Sequence, residues 1–274
     1  MRLLNYRRRP RIMVVAHGHP YERSEFMSMF DSWPDCEPFV VEHPVAPKVL
    51  NPEGAEDADV IVFYDMPGGA PSDGPGYPIP PSEEFKRGFL DLLDQGKPMV
   101  FLHHAIGGWP AWDEYSELLG GKLIHHPDVV RGKRLPDGGY RQNVTYELSA
   151  VDESHPIFDG LPKSFTLEDE LYLFDVFEDA ITPLLRSSYP AVSENFHSLA
   201  LGVMGKMHSA EGWSRQPGCQ IVGWTKRARN SSIVYIQAGH GPTAYHNPQY
   251  VQLLHSAIRW AIAENPPNPS QPNA

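Results

Sequence analysis

The chain has 274 residues, a formal net charge of −11, two cysteines and 13 histidines. The acidic balance argues against nucleic acid or an anionic membrane as a partner, because both attract a basic face. Cys36 and Cys219 have the spacing of neither a zinc ribbon nor a disulfide framework, which predicts two buried or half-buried thiols. The apolar runs are too short for a transmembrane helix or a signal peptide, so a soluble, cytoplasmic protein is expected.

Apolar runs alternate with amphipathic segments over the first 120 residues. Strands are predicted at residues 11–16, 39–42, 59–64 and 98–102, with helices at 22–30, 82–96 and 112–119 and a helical turn at 51–57. Short connections between such elements predict a doubly wound, largely parallel sheet. Residues 65–81 are too rich in proline and glycine for regular structure, and loops of this length are typically lids or mobile segments.

The pattern changes after residue 120. Residues 140–151 alternate polar and apolar like a hairpin strand, and residues 165–174 lead into an extended segment at 182–186. Strands at 220–225 and 232–238 and a helix at 250–263 then restore the α/β pattern. We therefore predict an α/β fold with a mostly parallel sheet and an inserted hairpin. Without repeats or linkers, one domain is expected over residues 1–264, followed by a disordered tail at 265–274.

Histidines follow three of the predicted strands. His17 and His19 follow the first strand, His103 and His104 follow the strand at 98–102, and His240 follows the last strand. Ligands of open α/β sheets bind beyond the carboxyl ends of the strands, so these histidines are predicted to converge. Two roles stay open: zinc takes two or three histidines plus a carboxylate, and imidazole also suits general acid–base catalysis. For any single histidine, the usual explanation is a core residue bonded to a backbone carbonyl.

Carboxylates for such a site come from Glu168, Asp169 and Glu170. If this segment is extended, Glu170 and Tyr172 share one face and Asp169 points to the other. A solvated acidic turn is the alternative. Trp109 and Tyr172 are candidate platforms for a sugar ring.

The turn after residues 98–102 is where a hydrolase or amidotransferase would carry its nucleophile. Its tip has His104 and Ala105, and the chain contains neither Gly-x-Ser-x-Gly nor Gly-x-Cys-x-Gly. Covalent catalysis through this turn is therefore disfavoured.

Three motifs resemble those of the ThuA-like (trehalose utilisation) family. VFLHHA with ELLGGKLIHHP resembles the LHSA, GG and HP signature, and ESHPIFDGLPKSFTLEDELYLF resembles the DHP, GLP and DE segment. IVYIQAGHGPTAYHNPQYVQLLHSAIRWA resembles the terminal strand, GH, helix and RWA. The motifs occur in the family's order over about two thirds of the chain. By motif, His103 matches the histidine of LHSA, His126 that of HP, Asp169 and Glu170 the DE pair, and His240 the histidine of GH.

The resemblance implies a class I glutamine amidotransferase-like fold, which is a three-layer α/β/α, flavodoxin-like architecture. ThuA-like members lack the catalytic cysteine of that superfamily, so amidotransferase activity is not implied. What the resemblance implies is a role in the metabolism of trehalose and related disaccharides, including 3-keto-sugars. This chain departs from the family at His104, where the family usually has serine.

The first functional hypothesis is an isomerase or hydrolase that acts on a saccharide or 3-keto-saccharide. Its catalytic residues would be His103, His104, Glu170 and His240, with His103, Glu170 and His240 as ligands if a divalent metal such as zinc is the cofactor. Substrate-binding candidates are His17, Trp109, His126 and Tyr172. The alternatives are a non-catalytic sugar-binding or regulatory protein and an amidotransferase-like subunit that needs a partner. The expected partner is a small saccharide, and whether the chain forms a homo-oligomer stays open.

Overall fold

The computed structural model describes residues 9–69 and 78–265, and within them helices and strands alternate up to residue 119. The strands are β1 (Arg11–Ala16), β2 (Glu37–Glu42), β3 (Val60–Phe63), β4 (Met99–Leu102), β5 (Gly121–Lys122), β6 (Asp128–Val130), β7 (Lys133–Leu135), β8 (Gly139–Ala150), β9 (Ser164–Leu173), β10 (Asp175–Val176), β11 (Thr182–Ser187), β12 (His197–Ser198), β13 (Ile221–Ala228) and β14 (Ser231–Ile236). The α-helices are α1 (Arg23–Asp31), α2 (Ala46–Val49), α3 (Glu83–Asp94), α4 (Asp113–Leu119), α5 (Leu199–Val203), α6 (Pro242–Tyr245) and α7 (Pro248–Glu264). Short 3₁₀ helices cover His103–Gly107, Pro156–Phe158, Glu178–Ala180 and Ser193–Asn195.

Ten of the described strands form one mixed sheet in the order β12-β8-β11-β13-β14-β4-β3-β1-β2, and β9 also pairs with β8. The strands β14, β4, β3, β1 and β2 run parallel, and the remaining pairs are antiparallel. The predicted α/β fold, with its parallel sheet and inserted hairpin, is confirmed. The antiparallel part is larger than one hairpin, because β11 and β13 extend the sheet between β14 and β8.

Apolar layers cover both faces of the parallel strands. In β1, Ile12 and Val14 join one buried cluster and Met13 and Val15 join the other. Helices α1 and α7 contribute to the first cluster, and α3 and α4 contribute to the second. A strand buried on both faces needs a continuous apolar run, which is why these strands were predictable from the sequence.

Helix ends follow the expected chemistry. The Ser82 hydroxyl accepts a hydrogen bond from the Phe85 N–H at 3.1 Å and caps α3, and Gly120 ends α4 with a left-handed φ of 93°.

Residues 51–57, predicted as a helical turn, form consecutive turns instead, and α2 just before them was not predicted. Cys36 and Cys219 are free thiols, buried and half-buried as expected.

Two predicted segments lie partly outside the described residues, namely residues 70–77 of the proline- and glycine-rich stretch and residues 266–274 of the tail. Asn265 is described, and its side chain accepts from the Ser232 N–H and donates to the Asn230 carbonyl. Among the described helices, none combines the length and hydropathy that crossing a membrane requires.

Candidate functional site

His103 lies at the carboxyl end of β4 and starts the 3₁₀ helix His103–Gly107 with a φ of +36°. Its ring is fully buried and fixed at both nitrogens. Nδ1 donates to the carbonyl of Gln237 at 2.6 Å, and Nε2 lies 3.1 Å from Oε2 of Glu170. Gln237, which follows β14, and Glu170, in β9, thus fix the orientation of this imidazole together.

His104 is fully buried beside it. Its Nδ1 lies 3.1 Å from the Tyr172 hydroxyl, whereas its Nε2 has no hydrogen-bond partner among the described residues. Burial and the nearby imidazoles of His103, His19 and His240 hold the pKa of His104 well below its ordinary value. His104 is therefore neutral at physiological pH and presents an unpaired nitrogen in the protein interior.

The loop after β14 holds His240 through its backbone. The N–H groups of Gly239 and His240 donate to Asp169 at 2.6 and 3.0 Å. The His240 carbonyl accepts from the hydroxyls of Tyr64 and Tyr245, each at 2.9 Å. Gly239 has a φ of +117°, which a side chain rarely adopts. The backbone at His240 is therefore fixed by three side chains, of which Asp169 and Tyr64 come from distant parts of the chain.

The His240 side chain is 28 % exposed, and its Nε2 lies 3.6 Å from Oε2 of Glu170. Burial and the nearby His103 lower the pKa of His240 to about 4, although the Glu170 charge opposes this shift. The His19 ring stacks on His104 with its centroid 4.1 Å away and lies 6.1 Å from the His240 ring. One ring nitrogen from each of His103, His104 and His240 lies within 4.8 Å of the others. These three residues are called the histidine cluster below.

Strand β9 supplies the carboxylates, and its alternation places them as expected for an extended segment. Glu170 and Tyr172 reach His103 and His104, while Asp169 reaches the loop at His240. Burial alone would raise the pKa of Glu170, but the hydrogen bond and charge of His103 hold this pKa below its usual value. Burial raises the pKa of Asp169 to about 6, against its backbone hydrogen bonds. Glu170 is therefore an ionised carboxylate beside two imidazoles.

Three predicted substrate-binding residues lie apart from this cluster. The His17 side chain is exposed and lies near Glu42, whose pKa is lowered mainly by the Tyr21 hydrogen bond, then by Arg23 and least by His17. Trp109 packs against Phe85, with ring centroids 5.0 Å apart. His126 lines a different cleft of about 320 Å³ together with Lys122 and Asp128 among others. Tyr172, the fourth, is buried within the site and contacts His103 and His104.

Sequence reasoning missed several contributors to the site. The Gln237 carbonyl and the hydroxyls of Tyr64 and Tyr245 hold the histidines, but none of these residues was a candidate. Gln237 could have been noticed as a polar residue directly after an apolar strand. Of the first loop, His19 rather than His17 reaches the histidine cluster, because Gly18 turns the chain with a φ of +88°.

A second group of ligating side chains precedes β2, at the amino ends of the parallel strands. Nε2 of His255 lies 3.0 Å from Oδ1 of Asp35 and 3.8 Å from Sγ of Cys36. The Arg259 guanidinium forms an ion pair with the other oxygen of Asp35. Asp35, Cys36, His255 and Arg259 are called the Asp35 cluster below.

Comparison with known proteins identifies the family. The ThuA family model, described as trehalose utilisation, matches residues 13–261. No curated protein sequence matches the chain.

Solved structures share the fold. A ThuA-like protein of Parabacteroides merdae ATCC 43184 superposes with a TM-score of 0.64 at 17% identity over 93% of this chain and 90% of that one. A ThuA-like protein of Bacteroides uniformis ATCC 8492 gives a TM-score of 0.64 at 16% identity over 95% of both chains. The cytoplasmic protein STM3548 of Salmonella typhimurium gives 0.56 at 10% identity over 91% of this chain and 98% of that one. With the family match spanning most of its length, the chain belongs to the ThuA, or trehalose utilisation, family.

Proposed function

We propose that this protein is an enzyme of sugar metabolism that moves a proton on a saccharide or 3-keto-saccharide. The observation that carries the proposal is the buried carboxylate of Glu170, whose Oε2 lies 3.1 Å from Nε2 of His103 and 3.6 Å from Nε2 of His240. Binding a neutral sugar requires aromatic surfaces and hydrogen bonds, not several titratable groups in contact. The family match supports a saccharide as the substrate class.

The site suits enolisation next to a ketone. This reaction needs a base that removes the proton on the neighbouring carbon and an electrophile that holds the resulting oxyanion. In the proposal Glu170 accepts the proton as the C–H bond breaks, and the electron pair moves onto the carbonyl oxygen. The histidine cluster faces that oxygen through the partly exposed His240, while His103 positions Glu170.

Amidotransferase chemistry has no nucleophile here. The 3₁₀ helix His103–Gly107 occupies the place of a nucleophile turn and contains neither cysteine nor serine. The proposal therefore rests on proton transfer.

A cytoplasmic location, as described for STM3548 of Salmonella typhimurium, is part of the proposal.

Proton exchange is the direct test. Incubating 3-keto-glucosides and 3-keto-trehalose with the protein in D₂O should replace the hydrogen next to the ketone, as followed by proton NMR. Glu170→Gln should slow this exchange by roughly 10²–10⁴-fold, the usual contribution of a general base. Glu168→Gln is the matched control, because Glu168 is exposed on the same strand. Thermal stabilisation by these sugars without exchange in the unaltered protein would contradict the proposal and indicate binding alone.

A further inference from the structure

We propose that His103, His104 and His240 bind one divalent transition-metal ion of the zinc class, and that this ion is the electrophile that holds the oxyanion. The binding site is argued from geometry alone, whereas the ion's role rests on the proposed function. The ligand set differs from the one expected from sequence, because His104 takes the place of Glu170.

The first argument is the convergence of three imidazole nitrogens. They lie within 4.8 Å of one another at the end of a rigid sheet. Around a tetrahedral zinc ion, ligand nitrogens are about 3.4 Å apart, so small side-chain movements close the site. Three histidines leave a fourth position open, which is the arrangement of catalytic rather than structural zinc. Imidazole is also the ligand that suits zinc and its neighbours best.

The second argument is the tautomer of His104. Nδ1 of His104 lies 3.1 Å from the Tyr172 hydroxyl, whereas Nε2 is buried and has no hydrogen-bond partner among the described residues. In the metal-bound form that we propose, Nδ1 carries the proton and donates it to the Tyr172 hydroxyl, which leaves Nε2 as the lone pair that meets the ion. A buried acceptor without a partner is costly, and a bound cation would remove that cost.

The third argument is that one ring nitrogen of His103 is fixed by a backbone carbonyl. Its Nδ1 donates to the Gln237 carbonyl, and its Nε2 lies 3.1 Å from Oε2 of Glu170, so an ion bound to Nε2 would replace the proton shared with that carboxylate. Metal-binding histidines almost always donate their other ring N–H to a carboxylate, a backbone carbonyl or water, as Nδ1 of His103 does. The Glu170 carboxylate, 3.1 Å from His103 and 3.6 Å from His240, supplies negative charge next to the ion.

His240 is the third proposed ligand, and the one that is partly exposed to solvent. Its backbone is fixed by Asp169, Tyr64 and Tyr245, so only the side-chain torsions remain to be set on binding. Its partial exposure gives an ion a route into the cluster that the buried His103 and His104 do not provide.

The test uses the full chain without an affinity tag, stripped with a chelator and reconstituted with Zn²⁺ or Co²⁺. We expect about one ion per chain by elemental analysis and calorimetry. Bound Co²⁺ should show visible ligand-field bands without a thiolate charge-transfer band in the near ultraviolet. His104→Gln should abolish stoichiometric binding, whereas Cys36→Ser, in the Asp35 cluster, should leave it unchanged.

His240→Gln is the second variant, because His240 is partly exposed and its replacement leaves the buried core intact. It should also abolish binding, with the fold verified by circular dichroism. No bound ion after reconstitution would overturn the proposal. So would a thiolate band that disappears in Cys36→Ser, because the ion would then lie in the Asp35 cluster.

The metal site and the proposed function can fail separately. Stoichiometric binding that needs His104, together with no proton exchange on any keto-sugar, would support the site and overturn the function. Undiminished exchange by the chelator-stripped protein would support the function and overturn the ion's role as electrophile.

Discussion

The histidine cluster and the Asp35 cluster each bring three potential metal ligands within 4.8 Å, yet they differ in what those ligands are already bound to. In the Asp35 cluster, Asp35 pairs with His255 and Arg259, and the Cys36 thiol contacts both His255 and Asp35. In the histidine cluster, Nε2 of His104 has no partner among the described residues. Proximity of ligating groups therefore does not distinguish the two clusters, whereas the unpartnered buried nitrogen of His104 does.

The largest expected difference is between equivalent substitutions in the two clusters. His103→Gln should reduce turnover of the keto-sugar by roughly 10²–10⁴-fold, because it removes the imidazole that positions Glu170. His255→Gln should leave turnover unchanged. Circular dichroism and steady-state rates on both variants check this, and equal loss of activity in both would remove the distinction between the clusters.

The next effect concerns the Cys36 thiol. Burial, followed by the charge of Asp35, raises its pKa to about 11, so the reactive thiolate is about 100-fold rarer at pH 8 than for a thiol of pKa 9.0. Alkylation of native Cys36 should be correspondingly slow and should accelerate as the pH rises towards 11. Mass spectrometry of iodoacetamide-treated protein measures the rate, with urea-unfolded protein as the control. Fast alkylation of the native protein at pH 8 would show an open, reactive Asp35 cluster.

Tyr172→Phe tests whether the Tyr172 hydroxyl fixes the tautomer of His104 in the histidine cluster. Without the hydroxyl, Nδ1 of His104 loses its acceptor and the tautomer is no longer fixed, so metal affinity should fall by roughly 10- to 100-fold. Calorimetric titration with Zn²⁺ measures the change. Tyr189→Phe is the control, because Tyr189 bonds the Asn195 carbonyl instead. Unchanged affinity in Tyr172→Phe would mean that the Tyr172 hydroxyl does not set the tautomer of His104.

The smallest effect is on stability. Asp169→Ala leaves the buried N–H of Gly239 without its acceptor, at a cost of about 1–3 kcal/mol in the free energy of unfolding. Glu168→Ala, at the exposed neighbouring position, should change it by less than about 0.5 kcal/mol. Urea denaturation of both variants distinguishes them. An unchanged free energy of unfolding in Asp169→Ala would show that Tyr64 and Tyr245 alone hold the loop at His240.

The sequence predicts the structure best where the local hydrophobic pattern and the sheet topology agree. The runs at β1, β3 and β4 are continuously apolar because both faces are buried, and parallel strands necessarily bring their carboxyl ends to one edge. The gathering of His103, His104 and His240 follows from that rule. Strands of two or three residues, such as β5 and β12, carry no periodicity and could not be predicted.

The finer arrangement of the site depends on contacts that no local pattern contains. Which nitrogen of His104 contacts the Tyr172 hydroxyl, and hence which nitrogen lacks a partner, is set by how β9 packs on the turn after β4. The choice between His17 and His19 depends on the backbone at Gly18, whose φ of +88° brings it against the Met66 backbone. Such features are decided by tertiary packing and not by residue type.

The contacts that complete the site join residues that are far apart in the chain. His103 is 67 residues from Glu170 and 134 from Gln237, and each contact closes a long loop. Contacts of such high sequence separation cost loop-closure entropy before they give any stabilisation, so we expect them to form late. A ligand site that is completed late would not nucleate folding. Removing a bound ion should therefore leave a folded chain, unlike a zinc finger, and the ion would be acquired by an already assembled protein.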